Sequence, residues 1–512
     1  MHTPPRLRLT TLDTAQLAQP GSGAAVVGPA VDPRAARVGQ VHLGVGAFHR
    51  SHQAVFTEDA AAAAGEDRWG ILGVTQRSPR VVSQLRPQDG LYSVLTKGRT
   101  DSSLRVIGSM RQVAFLQDES AAVLDAIASP DVTVVSSTVS EKGYRRAPGG
   151  GPDLDDVDLA CDLASVSAEL DGPSSAADVP ARTPIGALVR GLARRMVADA
   201  GPLTFVCCDN MPDNGQVVAE LVHGALDHVG GPSAEKLRAW VQESVTFPST
   251  MVDRITPATT PAHREQAEAM LGLVDEGLVV AEPFSQWVVE DTFAAARPRW
   301  EFAGVTFTSD VAPWERAKLR MLNGAHSAIA YLGALRGFRM IDEAVSDDEI
   351  AGAVRQMMTE EIIPTLVAPE GLDLAAYGEE ILERFANPAT GYTTWQVAGD
   401  GSQKLPIRIL GTVSDRLAAG VVPTVAARAM AAWIVFVARG RDALGTELPL
   451  DDPLAERLRE VASGGPESSL ADRMLALTEV FPADVSGHDG FRTAVRTEVT
   501  ELLALTPTAT PS

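Results

Sequence analysis

Residues 314–333 read WERAKLRMLNGAHSAIAYLG, with apolar positions recurring at the three- and four-residue spacing of a helix. At roughly 100° per residue, Glu315, Lys318, Asn323 and His326 fall within an arc of about 140°. Leu319, Leu322 and Ile329 share that arc, so the face carrying the polar groups is otherwise apolar and is expected to be buried. Burial favours a neutral amine and would draw the lysine toward the range useful for a general base. Arg316, Arg320 and Ser327 fall outside the arc, so the polar face is not simply the solvated one. Taken alone, the helix supports a plain structural account equally well: a snorkelling lysine, a satisfied core histidine and a capping asparagine.

Elsewhere the pattern is of short apolar runs separated by helical spacings. Residues 41–43, 69–74, 104–107, 132–136 and 203–207 read as strands, and a helical pattern through His52, Val55 and Phe56 joins the first two. Strands alternating with helices predict an α/β, Rossmann-like doubly wound sheet. Residues 147–184 are dense in Gly, Pro, Asp and Ser and read as a long loop with one short helix near 158–163. Residues 1–37 have weak periodicity and read as a weakly ordered lead-in that docks on the surface, order beginning at Gly39. In the second half, Ser346 and Glu349 form a capping-box pattern, Ile350, Val354 and Met357 follow at helical spacing, and Pro364 ends the run. A further helix starts near Pro423 and stops at Gly440, and residues 448–505 read as amphipathic helices with no legible function.

Composition narrows the function classes. A chain of 512 residues, 45% hydrophobic and 21% charged, can bury a large core and is expected to form two sizeable domains. Its formal net charge of −22 argues against nucleic acid or an anionic membrane as partner. Cys161, Cys207 and Cys208 are too few and badly spaced for a disulfide framework, and no apolar run follows the basic N-terminal residues, so a cytoplasmic setting is expected. The most apolar later stretch, residues 425–438, is too short to span a bilayer. The oligomeric state is left open, a monomer included.

The first predicted strand runs into GVGAFHRSH, in which Gly44 and Gly46 allow a tight turn whose N–H groups approach a dinucleotide pyrophosphate. His49 stands where a third glycine would, and a bare GxG is as often only a turn. The residues after the second strand, Thr75, Gln76, Arg77, Ser78, Pro79 and Arg80, include no carboxylate to hold the ribose hydroxyls of NAD, so NAD and NADP both stay open. Two further strands end in SEKGY, with Glu141 and Lys142, and in CDNMPDNG, with Asp209 and Asn210; such loops overhang the ligand of an open α/β sheet. Gly44, Gly46, Phe48, Arg77 and Glu141 are accordingly expected to line the cofactor. Asn210 suits carbonyl polarisation, and an Asx turn is the alternative. His49 and His52 lack a third metal ligand nearby, and no metal site is expected.

In this order, VHLGVGAFHRSHQAVFTEDA, VSEKGY, CDNMPDNG, FPSTMVDRITP, EPFSQWVVED, KLRMLNGAHS and DGSQKLP resemble the polyol-specific long-chain dehydrogenase family of mannitol 2-dehydrogenase and fructuronate reductase. The likeness covers roughly residues 39–440. It implies an NAD-dependent, metal-independent oxidoreductase with a Rossmann-like domain over residues 1–304 and a mostly helical domain over 305–512. It also implies Lys318 as general base, Asn210 and Asn323 as oxyanion-hole amides, His326 as the group orienting substrate, and Glu315 as a proton path to solvent. Asp253 and Lys404 match motif positions near substrate and cofactor.

Mannitol 2-dehydrogenases of that family tend to carry an arginine eight residues before the lysine of the DGS motif. Gln396 stands there in this chain, and TWQ followed by DGSQKLP is similar to the fructuronate reductase (mannonate oxidoreductase) branch. The expected substrate is therefore a sugar acid, D-fructuronate reduced to D-mannonate. Mannitol or a related polyol is the alternative, and a Schiff-base lyase using a buried lysine a remote one. An acid needs a basic partner, for which Lys142, Arg254 and Arg408 are unranked candidates.

Overall fold

The structure, a computed structural model, describes residues 4–13, 17–19, 21, 25–170 and 179–504. It divides into one unit over Met1–Val311 and another over Ala312–Ser512.

In the first unit a six-stranded parallel sheet has the order Met110–Phe115, Gly70–Thr75, Val38–Leu43, Val134–Ser137, Leu203–Cys207, Val245–Thr246. Numbered by sequence this is 3-2-1-4-5-6, the doubly wound dinucleotide-binding order, whose direction reverses between Val38–Leu43 and Val134–Ser137. The strands read as continuous apolar runs because both faces are covered, and Gly70–Thr75 and Leu203–Cys207 are buried throughout. Helix Pro184–Val197 covers one face. It starts at Thr183, whose hydroxyl accepts from Gly186 N, with Pro184 in the first turn. From this helix the fully buried Arg195 donates to the carbonyls of Ile127, Ser129, Val132, Ala200, Gly201 and Pro202.

Several expectations are corrected here. The run at 104–107 is a strand, Ser102–Ile107, but it pairs antiparallel with Tyr92–Lys97 in a separate four-stranded sheet; periodicity sees burial and not partner. Order begins well before Gly39: Leu7 and Leu12 are buried against Leu91, Leu95 and Leu271, and Val26–Val27 pairs with Ser102–Ile107. The loop at 147–184 carries two helices, Val157–Ala164 and Val166–Leu170, while 171–178 lie outside the described residues. Thr306–Thr308 pairs with Gln286–Glu290, so residues 305–311 belong to the first unit.

The second unit is helical. Its core gathers around Gly324–Leu335 and Thr424–Arg439, both almost wholly buried, the latter ended by Gly440 at φ +58°. The helix expected from Ser346 is capped by Asp347, whose carboxylate accepts from Glu349 and Ile350 N–H; Ser346 closes the preceding helix, Ile341–Val345. No helix among the described residues is long and apolar enough to cross a membrane.

Candidate active site

At the switch point of the parallel sheet, Gly44 follows the first strand with φ +101°, and a Cβ there would lie 2.1 Å from Thr138 O at the end of the neighbouring strand. Only glycine fits. Gly46 has nothing within 4 Å of a Cβ position and caps helix Ala47–Ser51, so the crevice is open above it. Phe48 stacks on His52 at 4.8 Å. His49, at the third-glycine position, is buried and stacked on His42 at 3.4 Å, so it fills the turn instead of opening it. His42 is held between Ser136 Oγ (2.7 Å) and Thr138 Oγ1 (2.8 Å), and burial lowers it to about 3.

Three strand ends are tied together beside that turn. Arg77 Nη2 donates to Ser140 Oγ at 3.0 Å, and Ser140 N donates to Asp209 Oδ1 at 2.8 Å. Ser140 holds φ +69°, a conformation a non-glycine residue keeps only when fixed from outside. Tyr144 supplies more of that fixing: its hydroxyl donates to Asp209 Oδ2 and meets Ser137 Oγ at 2.6 Å. Asn214 completes the set by donating to Asp209 O and Thr250 O, both at 2.9 Å. Burial raises the Asp209 carboxyl, against the donation from Tyr144 and Ser140. Asn210 follows directly on this clamp and is exposed, as is Glu141 in the turn Glu141–Tyr144. Tyr144 and Asn214 escaped sequence reading; the SEKGY and CDNMPDNG motifs contain both, but only the pairing of adjacent strands brings them together.

Asp253 is buried at the end of Thr250–Asp253, in a different sheet from the glycine turn. Arg254 is bound to backbone, donating through Nε and Nη2 to Glu282 O (3.1 and 2.9 Å) and through Nη1 to Ser51 O, and burial lowers it to about 10. With these donors used, Arg254 holds the chain together there. That corrects its expected place among substrate-binding groups.

In the second unit the helix from Ala312–Ala317 widens to i→i+5 turns over Lys318–Asn323 and returns to α over Gly324–Leu335. Such wide turns are uncommon and concentrate at functional sites. Each residue in them advances by less than the α-helical angle, which brings Asn323 and His326 back toward Lys318 and narrows the arc expected from ideal spacing. Lys318 is 8% exposed, while Glu315, Asn323 and His326 are half-buried. The opposite face is covered too: Ser327, outside the predicted arc, is buried.

His326 stacks on Phe385 at 4.6 Å with its edge toward Tyr392, and its Nε2 has no hydrogen-bond partner. Burial first, then the charges of Arg408, Lys404 and Arg384, lower it to about 3, so it works as a neutral ring. Lys404 Nζ donates to Gly399 O at 2.6 Å and pairs with Asp400 at 3.5 Å; burial and Arg408 lower its pKa. Lys404 thus sits with His326 and Arg408 in the second unit, apart from the glycine turn expected to hold the cofactor. Arg408, in the wide-turn segment Pro406–Leu410, donates from Nη1 to Ser327 Oγ at 3.1 Å. Gln396 is exposed, its oxygen accepting from Thr393 N (3.1 Å) and Oγ1 (3.0 Å) as a helix cap, which corrects its expected contact with substrate. Among the described residues no group of three His, Cys, Asp or Glu side chains is placed to hold a metal ion.

Comparison with known proteins adds to this geometry. Residues 38–302 match the mannitol dehydrogenase Rossmann domain, and residues 310–503 the mannitol dehydrogenase C-terminal domain. The D-mannonate oxidoreductase of Escherichia coli (strain K12) is 38% identical over 460 residues, 89% of this chain and 91% of that one. A mannitol 2-dehydrogenase of Cereibacter sphaeroides is 36% identical over 468 residues, covering 91% and 93%. Among solved structures, a Pseudomonas fluorescens mannitol 2-dehydrogenase in ternary complex with NAD and D-mannitol gives a TM-score of 0.79 at 34% identity, covering 98% of this chain and 97% of that one.

Proposed function

The chain belongs to the mannitol dehydrogenase family and is an oxidoreductase acting on CH–OH groups, and from that premise we propose that it interconverts a sugar acid and its keto form with NAD, reducing D-fructuronate to D-mannonate. The observation that carries the substrate class is the set of cations acting on His326, Arg408, Lys404 and Arg384, an environment for an anion and not for a neutral polyol. The D-mannonate oxidoreductase relative supports the same reading.

Gly44 and Gly46 leave backbone N–H groups open to a pyrophosphate, and Phe48, Arg77 and Glu141 flank that turn. When bound, the nicotinamide exchanges a hydride with the carbon of the substrate carbonyl. Lys318 gives the proton to the carbonyl oxygen in reduction and takes it in oxidation. The amides of Asn210 and Asn323 donate hydrogen bonds to the developing alkoxide, His326 orients the substrate hydroxyls, and half-buried Glu315 passes the proton to solvent. No carboxylate follows Gly70–Thr75, so the 2′-phosphate of NADP meets no repulsion there, and NAD is used with weak discrimination.

The test is nicotinamide absorbance with D-fructuronate, tagaturonate, D-fructose and D-mannitol. Highest kcat/KM for D-fructuronate is expected. A preference for fructose and mannitol would return the chain to the polyol reading. Family membership leaves the lyase alternative without support, and a borohydride-trapped adduct would be needed to revive it.

A further inference from the structure

We propose that the Arg408 guanidinium grips the substrate carboxylate and so selects sugar acids over neutral ketoses; the proposal rests on the sugar-acid reading above.

Arg408 enters the site through backbone packing. Its segment Pro406–Leu410 packs on the wide turns of Lys318–Asn323, and a Cβ on Gly324 would come within 2.8 Å of Arg408 O. This close approach places the Arg408 side chain beside Ser327, next in sequence to His326. Ser327 Oγ is its one hydrogen-bond acceptor among the described residues, and no carboxylate there lies within ion-pair distance. Asp400 acts on it only from farther away, and its carboxylate is paired with Lys404.

A guanidinium carries five N–H donors in a planar fork. Sheltered from water with one donor used, it is a charge whose desolvation is uncompensated until an anion arrives. The other sheltered arginines are not in that state: Arg190 is paired with Glu169, Arg105 with Glu58 and Asp59, and Arg195 is ringed by carbonyls. A carboxylate fits the vacant edge of the fork bidentately, whereas a hydroxyl would leave the charge unanswered. The rival candidates are committed elsewhere. Arg254 binds backbone, Lys142 is exposed, Lys404 is shared between Gly399 O and Asp400, and Arg384 is buried and already engaged.

The test compares kcat/KM for D-fructuronate and D-fructose in wild type, Arg408→Gln and Arg408→Lys, with melting temperatures alongside. Arg408→Gln should lower the fructuronate value by about 100-fold, chiefly through KM, and the fructose value far less. Arg408→Lys should recover part of the fructuronate preference, since it restores charge without the fork; if the glutamine variant does not fold, this intermediate ratio carries the test. A parallel loss for both substrates, or an unchanged ratio in an enzyme that does reduce fructuronate, overturns the assignment of Arg408 alone. A wild type that turns over no sugar acid overturns the substrate reading, and this assignment with it.

Discussion

Arg195 in the first unit lies fully buried among six carbonyl acceptors, while Arg408 in the second offers its guanidinium to a single serine hydroxyl. The same contrast runs through their surroundings. Asp275 accepts from Ser93, Gln88 and Gly277, and Glu58 from Ala30, Gly108, Ser109 and Arg105. Around His326, by contrast, an imidazole nitrogen is unpartnered and the nearby charges are cationic. The first unit uses buried charge to hold its own backbone, where each ion is answered by donors or acceptors fixed in the fold. The second keeps charge unanswered at one place, which a ligand can answer. A buried ion is thus better judged by its partners than by its burial.

Mutation can break that contrast at either end. Arg195→Met should cost about 3–5 kcal/mol of folding stability, read by chemical denaturation, because six carbonyls lose their donor. A loss under about 1 kcal/mol would mean that water replaces the arginine and that it is no scaffold. Lys318→Ala should lower kcat by about 100-fold or more with the KM for NADH nearly unchanged; equal turnover would remove the lysine from its role as base. Asn210→Ala and Asn323→Ala should each raise the barrier by about 2–4 kcal/mol, measured as kcat/KM, as expected of an amide that donates to a developing alkoxide.

Acid should sharpen the comparison. His42 in the first unit and His326 in the second are each held near 3 by burial, below the ordinary 6.5. The unfolded chain therefore takes up protons that the folded chain refuses, so stability is full above pH 6.5 and falls as the pH drops from there toward 3. Each histidine contributes up to about 1.4 kcal/mol per pH unit in that window. Urea melts between pH 7 and 5 should show the decline, and His326→Leu should reduce its slope by one histidine's share. The smallest effect is at the cofactor: NADH should be favoured over NADPH by less than about 10³-fold in kcat/KM, roughly 4 kcal/mol. Arg77→Asp should widen the preference about tenfold. A native ratio already above that limit would mean that a residue other than those after Gly70–Thr75 holds the ribose.

Much of this was legible before any coordinates. Gly44 and Gly46 announce a turn because no other residue type makes one so tight, and uniformly apolar runs such as residues 203–207 announce strands covered on both faces. Lys318, Asn323 and His326 share a helix, so local spacing was enough to bring them to one face. What stayed hidden needed a neighbour. Residues 104–107 look like any buried strand, and nothing local tells which sheet receives them. Ser346 and Asp347 are both good caps, and the choice depends on where the previous helix stops. Tyr144 and Asp209 lie far apart in sequence and meet only because their strands pair. Gln396 and Arg254 were read as ligand contacts from type and position, but a cap and a set of carbonyls had already taken their polar atoms.

The wide turns of Lys318–Asn323 also set a counting rule for this helix. They amount to a phase offset, spare chain taken up without a loop, so that residues before and after the segment keep a rotation that an uninterrupted α-helix would not give them. Deleting one residue between 319 and 322 would let the segment close into ordinary turns and swing everything beyond it by about 100°. His326 would leave the face of Phe385, and the whole of Gly324–Leu335 would present the wrong sides to its neighbours. Point substitutions there change one side chain, whereas a single deletion rewrites the phase of the entire helix. In aligning or engineering such a chain, the number of residues across this segment therefore carries as much information as their identity.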